Sequence, residues 1–267
     1  MNGLWMMGVI NSLVMSLNYG ASQYYHGYGG YGYGYGYFSY LLFMLPALLL
    51  GLWAQAKVKG TYKKYNKISN SRGMTGAQVA RMILDQNRLS YVKIEHIRGE
   101  LTDHFDPQDN VVRLSDAVYN STSIGAIGVA AHEVGHAIQY AEEYAPIKIR
   151  SAIIPVCNLG SRIGPTMILI GCLFANSTFG LQLMFWGIVL FSLMAVFQLV
   201  TLPVEFNASK RALTIMEESN MFTTQDVKGS KKVLSAAAMT YVAALITSIM
   251  QVLYYVLRFM AAKNRRD

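Results

Sequence analysis

Charge is scarce in this chain of 267 residues. Asp, Glu, Lys and Arg make up 14% of it, against about 25% in a soluble domain. Only 2 cysteines are present, Cys157 and Cys172, both in apolar stretches. That excludes a disulfide scaffold, and the pair reads as small buried hydrophobes. Acidic residues are the rarer sign, 15 against 23 Lys and Arg, for a net charge of +8. The basic residues do not spread over an aromatic-rich folded surface, as a nucleic-acid binder requires. They gather beside apolar runs, as Lys57, Lys59, Lys63, Lys64 and Lys67 do. This excludes nucleic acid as partner and points to a bilayer, where such clusters face anionic lipid or fix topology.

What is abundant is apolar sequence, 53% of the chain, in blocks longer than a soluble core needs. That excludes an ordinary cytosolic enzyme and a disordered regulator. A spanning helix takes about 20 mostly apolar residues. Residues 37–56 meet that need, with Tyr37, Phe38 and Trp53 as flanking aromatics. Residues 151–175, interrupted by Arg162, form a second span. Residues 180–203, free of charge, form a third, and residues 234–260 a fourth with Arg258 near its end. The first 18 residues are apolar but have no basic flank before the run. They make a poor signal peptide and read as an interfacial or packed segment. Residues 19–37 alternate Tyr and Gly, which predicts a flexible aromatic tether, because glycine at every second position opposes a helix. The expected organisation is therefore an N-terminal segment and tether (1–36), a first span (37–56), a polar region (57–150), two spans (151–203), a helix and loop (204–233), a last span (234–260) and a basic tail (261–267).

The polar region is where soluble chemistry belongs. Thr75 with Gln78 resembles a capping box and opens an amphipathic helix through Val79, Ile83 and Leu84 to about Leu89. Tyr91 to Ile97 alternates like a strand, Asp106 to Asn110 is a turn, and Val111 to Leu114 is a second short strand. Asn120 to Ser123 supplies N-cap residues for a helix from about Ile124 to Tyr144. The fold class is thus mainly α: multi-pass membrane helices with a small α+β, zincin-like region inserted between the first and second spans.

On the last of these helices stands His132-Glu133-Val134-Gly135-His136, an HExxH motif. Residues four apart share a helix face, so both imidazoles can meet one metal ion. Zinc suits two neutral histidines, an oxygen ligand and an open position for water. Glu133 is then the base that takes a proton from that water. A third ligand is required. A histidine at the metzincin spacing is missing, and Glu142 stands there instead. Glu142 and Glu143 lie about two turns past His136, some 9–10 Å along the axis, too far without distortion. Glu205, where an apolar run ends in Leu202-Pro203-Val204-Glu205, is the strongest candidate, with Glu217 and Glu218 as competitors. His104, Arg211, Tyr140 and Asn207 are candidate electrophiles for the oxyanion of hydrolysis. The strand Val111, Val112, Arg113 and Leu114 is a candidate free edge for an extended peptide.

Four runs carry a resemblance. They are Asp103-His104-Phe105-Asp106-Pro107, Val112-Arg113-Leu114-Ser115, Ala131 to Gln139 around the motif, and Pro203-Val204-Glu205-Phe206-Asn207-Ala208-Ser209. From about residue 37 onward the chain resembles the YugP-type membrane neutral zinc metallopeptidases, themselves similar to the HtpX-like and prenyl-protein membrane proteases. The resemblance implies one zinc ion on His132, His136 and Glu205, with Glu133 as base, in a gluzincin-like arrangement. It departs at Ser209, where the distant relatives carry an aspartate that orients a ligand histidine.

The expected activity is that of an integral-membrane zinc endopeptidase acting on membrane or membrane-proximal proteins. The alternative is a scaffold or chaperone partner that keeps a structural zinc site. Basic residues at 57–72 and at 210, 211, 228, 231 and 232 flank the motif regions, which predicts a cytoplasmic catalytic region in the cell membrane. The basic tail breaks that pattern if the last helix crosses fully.

Overall fold

The structure, a computed structural model, describes residues 33–265. The N-terminal apolar segment, the tether up to residue 32 and the last two residues of the basic tail, Arg266 and Asp267, lie outside the described residues. The described chain is mainly helical, with one small sheet. Its elements run α1 (Tyr33–Tyr65), α2 (Gly76–Gln86), β1 (Lys93–Ile97), β2 (His104–Asp106), β3 (Val111–Ser115), α3 (Ile124–Ala141), α4 (Ala145–Leu173), α5 (Thr178–Glu218) and α6 (Thr224–Asn264). Four helices, α1, α4, α5 and α6, are long and apolar enough to cross a membrane. The chain contacts divide into two units. One holds the described residues up to Gly51 with Ala152–Leu199 and the described residues from Ala243; the other holds Leu52–Ser151 and Val200–Val242.

In the first unit large apolar side chains face outward, among them Leu49, Leu159, Trp186, Leu199 and Leu253. Water would not tolerate so continuous an apolar surface, and lipid does. Where α4 and α5 meet, small residues let the backbones touch. A Cβ added at Gly164 would stand 2.9 Å from the carbonyl oxygen of Gly187, the close approach that membrane helices build from glycine.

The second unit has its own core. Val79, Ala80, Ile83 and Leu84 of α2 pack with Val112 and Leu114 of β3 and with Ile127, Ala130 and Val134 of α3, all fully buried. The expected capping box is present: Thr75 Oγ1 accepts from Gln78 N and Gln78 Oε1 accepts from Thr75 N. The helix it opens ends at Gln86 rather than near Leu89. Helix α3 is capped by Ser123, whose Oγ accepts from Ala126 N at 3.0 Å and donates to Asn66 Oδ1 at 2.6 Å.

Three expectations need correction. The sheet order is β1-β3-β2, so Val111 to Leu114 is the central strand and offers no free edge. It pairs parallel with β1 and antiparallel with β2. That edge belongs to β2, a strand not expected from the sequence because its three residues are too few to show an alternation. Arg113 on β3 likewise serves the fold: it pairs with Asp106, with Asp109 at 2.6 Å and with Glu95 at 3.2 Å. Second, Pro203 does not interrupt its helix: α5 continues through it to Glu218, so the helix with Glu205 is not a separate element, and α6 already begins at Thr224. Beyond the proline, Val204, Ala208, Ala212 and Met216 form a stripe at a spacing of four, each 0% exposed. Burial of that stripe outweighs the hydrogen bond the proline removes. Third, α1 starts at Tyr33, so Gly34 and Gly36 are helical; a helix extended from a long apolar run needs no new nucleus.

The N-cap of α3 gives a measurable prediction. Ser123→Ala should cost about 1 kcal/mol and lower the melting temperature in detergent by about 2–4 °C. An unchanged melting curve would show that the cap does not hold the motif helix.

Candidate metal centre

The site is built on α3 and α5. His132 and His136 are one helical turn apart, their ring centroids 4.7 Å from each other at 80°. Both imidazoles turn Nε2 toward Glu205 Oε2, at 3.4 Å for His132 and 3.5 Å for His136. One ligand atom from each of the three residues lies within 4.8 Å of the other two. All three side chains are largely buried, at 14%, 12% and 4% exposure.

The helices come this close because of small residues. A Cβ at Gly135 would stand 2.6 Å from the carbonyl oxygen of Ala208, so only glycine fits inside the motif here. Ala131, one turn before Gly135 on the same face, is also small and fully buried. On α5, Glu205 sits beside the buried stripe and is carried in with it.

Each candidate ligand is held from behind. His136 Nδ1 meets Gln139 Oε1 at 3.0 Å, and His132 Nδ1 meets Ser209 Oγ at 3.1 Å. Ser209 thus reaches the imidazole as a neutral partner. Glu205 Oε1 faces the Arg150 guanidinium at 3.4 Å, which leaves Oε2 toward the histidines. Glu205 Oε2 is buried and makes no hydrogen bond. A buried carboxylate oxygen against two ring nitrogens is a costly arrangement by itself. It fits a divalent cation held by two imidazoles and one carboxylate. The Tyr241 phenol also lies beside Glu205.

Glu133 is 9% exposed, and its Oε2 accepts from Phe105 N of β2 at 3.1 Å. Burial pushes its carboxyl up to about 7; the adjoining His132 opposes the rise and the charge of Asp103 adds to it. Burial also raises Asp103, whose oxygens accept from Ser115 N at 2.7 Å and from Ser115 Oγ at 3.0 Å.

The other candidates have these partners, and Asn207 and Arg211 reach the centre through Gln139. His104 Nδ1 meets the carbonyl of Thr102 at 2.9 Å, an ordinary turn contact. Tyr140 bonds Ser151 at 2.7 Å. Asn207 Oδ1 accepts from Gln139 and from Arg211, and Arg211 pairs with Glu142 at 2.6 Å. Glu143 pairs with Lys148, and Glu217 and Glu218 are exposed. The carboxylate that joins the two histidines is that of Glu205. Residues not foreseen at the site are Gln139, Arg150, Tyr241 and the backbone of Phe105. Arg150 could have been suspected as a charge close to an apolar span; the others carry no signal of their own.

The family model described as "Putative neutral zinc metallopeptidase" matches residues 40–260, a stretch that contains all three clustered residues and Glu133. The chain belongs to that family. It is 47% identical over 228 residues to the "Putative membrane protease YugP" of Bacillus subtilis (strain 168), covering 85% of this chain and 98% of that relative. No solved structure matches significantly. Family membership and the four apolar helices make this a membrane member of a zinc metallopeptidase family.

Two measurements address the centre. Glu205→Ala should cut zinc affinity by more than the about 10–100-fold typical of losing an orienting partner; an unchanged affinity in chelator competition would remove Glu205 from the centre. Glu133 sets a pH dependence. Its folded pKa of about 7 exceeds the ordinary 4.5, so between those values the folded state holds a proton the unfolded chain has released. Stability must then fall as pH rises through that window and level off above it. In chelator-treated protein Glu133→Gln should remove that component from the melting-temperature profile. A profile identical to wild type would mean that the carboxyl is not raised.

Proposed function

We propose that this chain is a zinc-dependent endopeptidase of the membrane, with a gluzincin-like HExxH-plus-glutamate centre. The observation that carries the reading is the convergence of His132, His136 and Glu205, with buried Glu133 on the same helix. His132 and His136 would hold one zinc ion through Nε2, and Glu205 through Oε2. A zinc ion bound there supplies Lewis acidity and lowers the pKa of water at its open position to near neutral.

The chain's own residues do the proton work. Phe105 N–H holds Glu133 Oε2, so Oε1 is the oxygen that exchanges a proton. Glu133 takes a proton from the water whose oxygen attacks the peptide carbonyl. It then passes that proton to the amide nitrogen as the C–N bond breaks. Burial of Glu133 excludes bulk water, which strengthens each local electrostatic interaction. An extended peptide would lie along β2, the sheet edge next to Glu133, in place of the expected edge on β3.

Substrates would be membrane or membrane-proximal proteins, because the zincin-like region hangs between the first two spans. The basic residues near the ends of those spans support a cytoplasmic catalytic side. The alternative, a scaffold with a structural zinc, is less well supported. Structural sites are closed by four protein ligands, whereas the cluster among the described residues has three.

Glu133→Gln tests the reading directly. The variant should bind zinc like wild type and lose about 10²–10⁴-fold in cleavage of an unfolded membrane substrate. Equal cleavage by both proteins would sink the mechanism.

A further inference from the structure

We infer that Gln139 is a positioning residue that sets the tautomer of His136 and ties that imidazole to the backbone beside Glu205. The inference rests on the zinc reading above and deepens it. Gln139 lies on α3, one turn beyond His136, and is 0% exposed. Its side-chain amide makes three contacts. Oε1 meets His136 Nδ1 at 3.0 Å, and Nε2 donates to the Val204 carbonyl at 2.8 Å and to Asn207 Oδ1 at 2.9 Å.

The direction of each bond follows from donor and acceptor chemistry. Arg211 pairs with Glu142 and donates through Nε to Asn207 at 2.7 Å. A guanidinium only donates, so the Asn207 atom facing it is oxygen. The Val204 carbonyl only accepts. Both partners therefore require the NH2 of Gln139 on their side, which turns its oxygen to His136. An amide oxygen only accepts, so His136 Nδ1 carries the hydrogen and Nε2 keeps its lone pair. The chain Glu142–Arg211–Asn207–Gln139 thus leaves His136 ready to bind a metal ion before any arrives.

His132 differs. Its partner Ser209 Oγ can donate or accept, so that contact allows either tautomer. The same amide also grips Val204, the residue before Glu205, and so couples two ligands carried by two helices. Losing it unlocks a ring and loosens the arrival of the carboxylate together.

The test separates positioning from packing. Full-length wild type, Gln139→Glu and Gln139→Met are compared in detergent for zinc affinity by chelator competition, for the cobalt d–d spectrum, and for melting temperature without metal. A glutamate still accepts from Nδ1–H but sets a carboxylate against the Val204 carbonyl and Asn207 Oδ1. A methionine fills the space and accepts nothing of note. Gln139→Met should lose about 10–100-fold in zinc affinity with a distorted cobalt spectrum. Gln139→Glu should bind zinc more tightly than Gln139→Met while melting lower without metal. Affinity and stability then rank the two variants in opposite order, which a packing role does not produce. Arg211→Met, at the partly exposed end of the chain of bonds, should show a smaller loss of zinc affinity. It gives the answer if the Gln139 variants do not fold.

Wild-type affinity in Gln139→Met, or affinity losses that simply follow the melting temperatures, would overturn the role of Gln139 alone. Wild-type protein that binds no zinc would overturn the zinc reading as well.

Discussion

The candidate centre depends on how closely α3 and α5 approach. A glycine inside the motif, Gly135, lets the Ala208 carbonyl come to 2.6 Å from where a Cβ would stand. The stripe Val204, Ala208, Ala212 and Met216 fills the rest of that face without exposed area. With the backbones this near, a glutamate side chain from α5 reaches both imidazoles of α3. A side chain at Gly135 would clash with the Ala208 backbone, so the two helices could not keep this separation.

That contact creates an electrostatic problem that the neighbouring residues resolve. A carboxylate and two imidazoles in a nearly dry site each carry polar atoms that cannot stay unpartnered cheaply. Arg150 takes one Glu205 oxygen, Gln139 and Ser209 take the outer nitrogens, and Phe105 N–H takes one oxygen of Glu133. Glu205 Oε2 and the two Nε2 atoms are turned toward one another, a set of electron-pair donors suited to a cation. The sheet takes part through β2, which supplies that backbone hydrogen bond and sets the depth of Glu133.

Much of this was legible in the residues. The four apolar blocks stand out because a bilayer demands length and low charge together, and they fall on helices α1, α4, α5 and α6, with only residues 174–175 of the second block beyond its helix. The motif helix and both N-caps follow local rules, and the structure has them at Thr75 and Ser123. Glu205 could be suspected because a lone acid after an apolar run is costly. The strand order could not be read. β2 has three residues, and the parallel pairing of β1 with β3 leaves no local trace. Nor could the fate of Pro203, since helix continuation there depends on what the next residues bury.

The residue order alone determined the chemical types available: a membrane chain, a pair of imidazoles one turn apart, a glutamate between them and a distant acid. Those are properties of short segments, set by hydrophobicity and helical period. Tertiary structure decided which acid joins the imidazoles, which strand lies at the edge beside Glu133, and which neutral amide orients His136. Each of these joins groups far apart in the chain, such as Gln139 and Val204. Only close packing of one helix against another brings such groups within a hydrogen bond.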